Sequence, residues 1–480
     1  MALPAETYEL ALGPGDLSLR EGKATDQGVK GPLNLLDLPY DVVHPIFGQL
    51  CYHCQPRYIK SRATEDEETG HALADRRGLW SLCLTSRAAR RMAQPILFHH
   101  VFHTWHDARI TLVRLIRTLH EQPHLGSHVK MLELRSVRGH SHHYDSQFYL
   151  EGDESRFIQK VARSVRLGVP SREHHKYVAK ETIMELLLVL LPSLVELRFV
   201  IPWPWYQAFQ HLPRWYRKRV GADKHFLSSV KKMELAIGVE ASGTYYSEGP
   251  DGGPRPTPIE QLLISAAPNL ETLSCSMGGL YDMPSLPRLQ SLALLGGGFR
   301  KGEIGRVLQN LPNLRCFSYT SFGEVAPSGS EICEALQRSK ATLEELSIRY
   351  VEFKYDFNSN RPPSYLVPSL NDFTRLKHLY INQDLVWWWK DSPAKLTTLL
   401  PQGLETLFLD FPGLGWRDDT NIVLPLAKAL YNGASKRLRG VIWGRRSLNW
   451  NSTCLEMDLE LMRSKNRLVD DNWYINSLQI

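Results

Sequence analysis

The feature that most constrains the fold of this chain is a recurring LxxLxL pattern, with apolar residues at the first, fourth and sixth positions of each unit. The second half of the unit alternates apolar and other residues, which is the period of a β-strand with one buried face. Because one such strand buries almost nothing alone, repeated units are expected to stack on one another. The pattern occurs ten times in the 480 residues, and the units begin at Val129, Leu194, Val230, Leu270, Leu289, Leu314, Leu343, Leu376, Leu404 and Leu438.

The segments between the units predict helices on the other side of a sheet. Most successive units are about 25 to 40 residues apart, and the later ones come close to the length of a leucine-rich repeat. A parallel sheet inside, backed by helices outside, would bury the leucines of every unit together. The predicted fold class is therefore α/β, an irregular leucine-rich-repeat solenoid over residues 106–444 with a C-terminal cap over residues 445–480. An ordinary helical bundle fits less well, because its leucines would recur at intervals of three and four residues.

The residues between the leucines are predicted to point away from the core and to form a recognition surface. Aromatic and arginine side chains carry most of the binding energy of protein interfaces, and polar neighbours set the register. The outward positions of the units from Leu343, Leu376 and Leu404 combine charged, aromatic and amide side chains. Any one of these positions on its own could simply be exposed to solvent. The predicted target-binding residues are Glu345, Ser347, Arg349, His378, Tyr380, Asn382, Phe408 and Asp410, together with Trp388 from the tryptophan run after the second of these units.

A second candidate surface is the insertion over residues 201–219, where aromatic and basic residues are interleaved. Such a mixture can stack nucleic-acid bases and contact phosphates. The formal net charge of only +6 over 480 residues shows no general basic bias. We therefore favour an insertion that folds back on its own solenoid, and nucleic-acid binding stays a minor alternative.

The segment over residues 33–105 has a helical pattern in place of the repeat. Apolar residues from Leu38 to Leu50 have helical spacing and predict a short amphipathic helix. Two further short apolar segments follow a charged connection, which predicts an inserted loop over residues 51–78. Residues 1–32 lack the pattern of a signal peptide and are expected to be a disordered tail.

Three short motifs occur in a fixed order within this segment. Leu38 and Pro39 open the first helix, a Leu-Thr-Ser-Arg motif begins at Leu84, and an Ala-Gln-Pro-Ile-Leu-Phe motif ends at Phe98. Together they resemble the F-box, the helical module that docks F-box proteins onto the Skp adaptor of cullin ubiquitin ligases, and specifically the fungal F-box proteins with leucine-rich repeats. The connection after the first helix is longer than is usual in that family. The resemblance implies a three-helix module that binds the adaptor through Leu38, Pro39, Val42, Val43, Ile46, Leu50, Leu82, Leu84, Ile96 and Leu97.

Composition excludes several other classes of protein. The seven cysteines are odd in number and show no disulfide framework, which favours a reducing compartment such as the cytoplasm or the nucleus. No uninterrupted apolar run is long enough to cross a membrane, so no membrane association is expected.

Motifs for catalysis or cofactor binding are missing from the sequence. The glycines between Leu292 and Gly305 lack the spacing of a dinucleotide site, and no motif pairs a nucleophile with a base. Cys51 and Cys54 have the spacing of a zinc-ligand pair, but there is no second pair of this kind. We therefore expect no enzyme, no cofactor and no metal, since further ligands would have to come from His44, His99, His100 or His103.

The sequence thus predicts a non-catalytic adaptor with two binding surfaces. The resemblance implies that the helical module binds an Skp-family adaptor of a cullin ligase, while the solenoid binds a protein target that the sequence does not name. The alternative is a leucine-rich-repeat interaction scaffold with no connection to ubiquitination.

Overall fold

Within the residues that the structure describes, the strands form one thirteen-stranded sheet in which neighbours in sequence are neighbours in space. A computed structural model describes residues 35, 38–54, 76–104, 108–135, 150, 152–167, 179–201, 212, 226–237, 258–276, 283–296, 299, 302–321, 326–350, 367–382, 394–410, 437–438, 440–444, 453–458 and 476–479. The strands are β1 His100–Thr104, β2 Met131–Arg135, β3 Glu196–Ile201, β4 Lys232–Ile237, β5 Thr272–Ser276, β6 Ser291–Leu295, β7 Cys316–Ser321, β8 Glu345–Tyr350, β9 His378–Asn382, β10 Thr406–Asp410, β11 Gly440–Gly444, β12 Thr453–Asp458 and β13 Asn476–Gln479.

Every pairing from β1 to β11 is parallel, and only the last two pairings, β11 with β12 and β12 with β13, are antiparallel. The ten LxxLxL units supply β2 to β11 in order. The predicted α/β class with an open parallel sheet and helices is therefore confirmed, and it is compatible with a solenoid-like arrangement. Strand β1 belongs to this sheet although its residues lie in the segment assigned from sequence to the helical module.

One backbone pattern repeats at the start of each strand from β2 to β10. At β9, for example, the amides of Lys377 and His378 both donate to the carbonyl of Glu344 in the preceding unit, with N···O distances of 2.9 and 3.1 Å. The pattern is the same where the units are far apart in sequence and where they are close. Insertions therefore lengthen the connections without changing the step from one strand to the next.

Side chains within the sheet alternate between the two faces, as the two-residue period requires. In β8, Leu346 and Ile348 are fully buried, whereas Glu345, Ser347 and Arg349 are half-buried. Every unit contributes buried apolar residues to one continuous core that also contains apolar residues from the helices. The inward and outward positions predicted for this unit are therefore confirmed.

Helices occupy several of the connections between strands and contribute one apolar side to the core. One of them begins at a capping box, in which the Ser328 hydroxyl accepts from the amide of Glu331 and the Glu331 carboxylate accepts from the amide of Ser328. The helices are α1 Tyr40–Gly48, α2 at residues 76–85, α3 Arg87–Leu97, α4 Ala108–Glu121, α5 Pro123–His128, α6 Gly152–Ser164, α7 Ala179–Leu190, α8 Pro258–Ser265, α9 Glu303–Leu308, α10 Gly329–Ala335 and α11 Ala394–Leu399.

Helices α1, α2 and α3 share a small apolar core that is separate from the core of the sheet. Ser86 ends α2 and caps α3, since its hydroxyl accepts from the amide of Ala89 at 3.0 Å. Arg90 ties the two helices together by donating to the carbonyl of Cys83 at 3.0 Å. The core of this helical module consists of Val43, Phe47, Cys51, Leu79, Cys83, Ala93 and Ile96.

None of the helices in the described part of the chain combines the length and the apolar composition needed to cross a lipid bilayer.

Candidate functional site

Large hydrophobic side chains are exposed on the helical module. Tyr40 is 58 %, Val42 43 %, Ile46 43 % and Leu84 64 % exposed. We use the name apolar patch for these four exposed residues of the module, three of which are on α1 and one, Leu84, on α2. Among the described residues, only two further large hydrophobic side chains, Leu35 and Ile110, are exposed to a comparable degree. Val42 and Ile46 lie one turn apart on α1, and exposed apolar side chains that lie together are typical of a surface that a partner covers.

Two residues of the apolar patch, Val42 and Ile46, are exposed because α1 carries two rows of apolar residues on adjacent sides. Val43 and Phe47 are one turn apart and are buried in the core of the module, at 0 % and 2 % exposure. Val42 and Ile46 are also one turn apart, but they are displaced from the first row by about 100° around the helix axis. The sequence predicted one apolar side of α1. In the structure that side consists of a buried row, Val43 and Phe47, and an accessible row, Val42 and Ile46.

This division corrects part of the predicted adaptor-binding set. Val43 and Ile96 are fully buried and hold the module together, so they cannot contact a partner in this conformation. Pro39 is exposed beside the patch. The remaining predicted residues, Leu38, Leu50, Leu82 and Leu97, are half-buried and pack against the core of the module.

The second candidate surface is the side of the sheet that faces away from the core, which we call the open face. One residue from each strand from β2 to β10 is paired with its neighbours across the centre of this face, and we call this series the middle row. Its two ends differ in chemical character. In order, its residues are Glu133, Arg198, Glu234, Ser274, Ala293, Ser318, Ser347, Tyr380 and Phe408.

The first end of the middle row is charged. Arg198 lies 2.7 Å from the carboxylate of Glu196 and 3.7 Å from that of Glu234, and His100 Nε2 donates to Glu133 at 3.0 Å. Burial opposes the charge of Arg198, but the carboxylates of Glu196, Glu133 and Glu234 outweigh it and raise the pKa of the guanidinium. This charged cluster was not among the predicted site residues, although Glu133 and Glu234 stand at outward positions of their LxxLxL units.

The other end of the middle row is aromatic. The rings of Tyr380 and Phe408 stack with a centroid distance of 5.5 Å and an interplanar angle of 28°. Beside them, His378 Nδ1 and Thr406 Oγ1 are hydrogen-bonded at 2.8 Å. Tyr380 is half-buried and presents part of its surface, whereas Phe408 is only 7 % exposed. Phe408 thus supports Tyr380 from the side and is not the free anchor predicted from the sequence.

Asn382 is also not available to a target, because it is 1 % exposed. Its Oδ1 accepts from the backbone amide of Tyr350, and its Nδ2 donates to the carbonyl of the same residue at 3.4 Å. Asn382 was predicted to point away from the core, but in the structure Tyr380 is the last residue of β9 that does so. The side chain of Asn382 turns inward and hydrogen-bonds the backbone of Tyr350 at the end of β8, where a buried polar group requires a partner. Glu345, Ser347, Arg349, His378 and Tyr380 remain accessible. Trp388 and the side chain of Asp410 lie outside the described residues.

Charged residues just before β7, β8 and β9 form a cluster beside the aromatic end. The Glu344 carboxylate lies 3.2 Å from Lys377 Nζ, 3.3 Å from Arg375 and 4.0 Å from Arg315. The hydrogen bond from Lys377, with the nearby positive charges, lowers the pKa of Glu344 below its usual value. Burial and the neighbouring Glu345 raise the pKa of the Cys316 thiol to about 11, so this open-face cysteine is protonated at neutral pH.

A cluster of metal-ligand residues lies where the helical module meets the sheet. The ligand atoms of Cys51, His53, Cys54 and His99 are all within 4.8 Å of one another. Cys54 Sγ lies 3.3 Å from His99 Nδ1 and 3.7 Å from His53 Nδ1. A hydrogen bond from Cys51 and contacts with the two imidazoles lower the pKa of Cys54, and the same bond together with burial raises the pKa of Cys51.

The sequence argument against a metal rested on the missing second cysteine pair. Of the four histidines considered there, only His99 joins the cluster, and His53 from inside the CxxC motif supplies the other imidazole. His100 instead bonds Glu133, and burial together with the charges of Arg76 and His100 lowers the pKa of His103 to about 3.

No protein-family model matches this chain, and no curated protein is significantly similar to it.

Proposed function

We propose that this chain is the substrate-recognition subunit of an Skp–cullin–F-box ubiquitin ligase, with a fungal-type F-box and an irregular leucine-rich-repeat solenoid. The helical module docks on the Skp adaptor, and the open face of the sheet holds a protein target. The chain performs no chemistry itself. It accelerates ubiquitin transfer by holding the target near the charged enzyme, and it acts in the cytoplasm or the nucleus.

The observation that carries the proposal is the apolar patch on the three-helix module. Val42, Ile46 and Leu84 are aliphatic and roughly half exposed or more, an arrangement that is unfavourable in water and that a partner with a complementary apolar surface would relieve. The F-box resemblance predicted adaptor contacts at these same three residues, and they stand on the outside of the module. Its buried residues hold α1, α2 and α3 together so that the patch is presented by a packed unit.

The open face supports the second half of the proposal. Its middle row changes from charged residues at β2 to β4, through small residues, to Tyr380 at β9. Small side chains between two ends of distinct chemistry allow a protein segment to approach the sheet closely while each end selects its own contacts. Tyr380, backed by Phe408, provides the rigid aromatic anchor, and Glu345 and Arg349 provide polar contacts.

The direct test is co-purification of the full chain with a fungal Skp adaptor and cullin. We expect a stoichiometric ternary complex that survives size-exclusion chromatography. If a protein target binds the chain but neither adaptor nor cullin does, the solenoid is an interaction scaffold outside ubiquitination.

A Tyr380→Ala variant is expected to weaken target binding by roughly 2 kcal/mol or more, because truncating an aromatic anchor removes apolar contact that its neighbours cannot replace. Adaptor binding should be unchanged, since the apolar patch is on a different part of the chain. Quantitative co-precipitation, with the target signal divided by the adaptor signal, measures the effect. Tyr380→Phe keeps the ring and is the matched control, and equal loss in both variants would place the contribution in the hydroxyl.

The nucleic-acid alternative concerns Arg214, Arg217, Lys218 and Arg219, which lie outside the described residues. Replacing the four with Ala should leave the protein target bound. If this change instead removes a salt-sensitive RNA interaction while Tyr380→Ala changes nothing, the chain is a nucleic-acid-binding protein.

A further inference from the structure

The cysteine–histidine cluster joins two parts of the chain that are distant in sequence. Cys51 lies between α1 and the short 3-10 turn Tyr52–Cys54, and His53 and Cys54 belong to that turn. His99 lies between α3 and β1. Cys51 is 3 % exposed within the core of the helical module, whereas the other three residues are half-buried. The cluster therefore combines one candidate ligand packed in the core with three that are partly accessible.

The distances approach those of a tetrahedral metal site. Zinc bonds of about 2.3 Å to sulfur and about 2.0 to 2.1 Å to nitrogen place neighbouring ligand atoms roughly 3.3 to 3.8 Å apart. The separations of Cys54 Sγ from the two imidazole nitrogens, 3.3 and 3.7 Å, are within that range, and all four ligand atoms lie within 4.8 Å of one another. The ligand atoms therefore exceed the tetrahedral separation by no more than about 1 Å, a gap that side-chain rotation can close.

We propose that Cys51, His53, Cys54 and His99 form a structural zinc site. Two thiolates and two imidazoles are the ligand set that zinc takes in closed tetrahedral sites, and a site with four protein ligands keeps no position for a substrate. On binding, each thiol releases its proton to solvent, so two thiolates balance the charge of the ion and the imidazoles stay neutral.

The bound ion would connect the helical module to the first strand of the sheet. The carbonyl of His99 accepts from the amides of Lys130 and Met131 at 2.9 and 2.8 Å, which is the first step of the backbone pattern that repeats along the sheet. Cys51 packs in the core formed by Val43 and Phe47 of α1. Zinc would therefore link the segment after α1, the helix with three of the four patch residues, to the first strand, whatever partner covers that patch.

The first experiment measures the metal itself. The full chain, purified under reducing conditions, is expected to contain about one zinc per molecule by elemental mass spectrometry. After removal of zinc, titration with Co²⁺ should produce the visible bands of a tetrahedral site and the near-ultraviolet charge-transfer band of cobalt–thiolate bonds. A chain without zinc that binds Co²⁺ with no thiolate band would overturn the proposal, and so would a Cys51–Cys54 disulfide that persists under reducing conditions.

Variants then identify the ligands. Cys54→Ser and His99→Gln should each weaken zinc binding by about 100-fold or more, since even the loss of a residue behind a ligand costs about 10- to 100-fold. Cys83→Ala, a free thiol in the same core, and His124→Gln, an exposed imidazole on α5, are the matched controls and should retain the ion. If ligand variants and controls bind zinc equally, the site is wrong. Because the cobalt spectrum is recorded on the unaltered chain, a variant that fails to fold leaves that test intact.

Chelation provides a readout of the structural role. A strong zinc chelator should lower the thermal unfolding temperature of the wild-type chain and have no effect on a Cys51→Ala, Cys54→Ala double variant. An equal response in both would show that no structural ion is held by these cysteines. None of these measurements depends on adaptor binding, so the zinc site and the proposed ligase function can fail separately.

Discussion

An Ile46→Asp variant of the full chain is expected to lose affinity for the Skp adaptor by about three orders of magnitude or more. Ile46 is 43 % exposed and stands one turn from Val42 in the apolar patch. In the proposed complex the new carboxylate would lose its water against an apolar surface that offers it no partner. Such burial costs several kcal/mol, and about 4 kcal/mol corresponds to a thousand-fold change in the dissociation constant. Isothermal titration calorimetry with purified adaptor measures the change.

Two comparisons separate docking from folding. Ile46→Leu keeps the apolar contact and should bind nearly as well as the wild type. Val43→Asp changes a neighbouring residue that is 0 % exposed, so it is expected to unfold the helical module, whereas Ile46→Asp should leave the thermal unfolding profile unchanged. Adaptor binding by Ile46→Asp at wild-type affinity would refute the F-box hypothesis.

A Leu346→Ala variant is expected to lower the free energy of unfolding by about 2 to 5 kcal/mol, because a fully buried side chain is truncated and its surroundings collapse only in part. Leu346 is 0 % exposed in β8 and is paired in the sheet register with Phe317 on one side and Leu379 on the other. Both neighbours are held by their own strands, which limits how far they can move into the cavity. Denaturant titration followed by circular dichroism measures the shift of the transition.

The adjacent residue is the matched control. Ser347 is half-buried on the open face, so Ser347→Ala should change the transition by no more than about 0.5 kcal/mol. A larger effect from Ser347 than from Leu346 would mean that the two faces of β8 are assigned the wrong way round.

The strands and their order were predictable from the sequence because LxxLxL is a local pattern with a short period. The three residues that end each unit alternate between core and surface over a few ångströms, and this depends little on what lies elsewhere in the chain. The helical module was predictable to a similar extent, since Ser86 caps α3 within its own segment. The predicted site was less accurate, because accessibility depends on neighbours. Val43 and Val42 have the same chemistry and adjacent numbers, yet the packing of α2 and α3 buries only Val43.

By itself, the sequence determined the α/β class, the assignment of LxxLxL units to parallel strands and the inward position of residues such as Leu346. The tertiary structure alone decided which polar groups meet across long stretches of chain. Asn382 is buried because Tyr350, in the preceding strand, has a backbone amide that needs an acceptor, and nothing near Asn382 in the sequence indicates this. His99 approaches Cys54 only because the module folds back onto the first strand, which brings together residues 45 positions apart. The periodicity of a segment indicates the face on which each of its side chains lies. Contacts between distant segments depend on how those segments pack, and a short stretch of sequence does not contain that information.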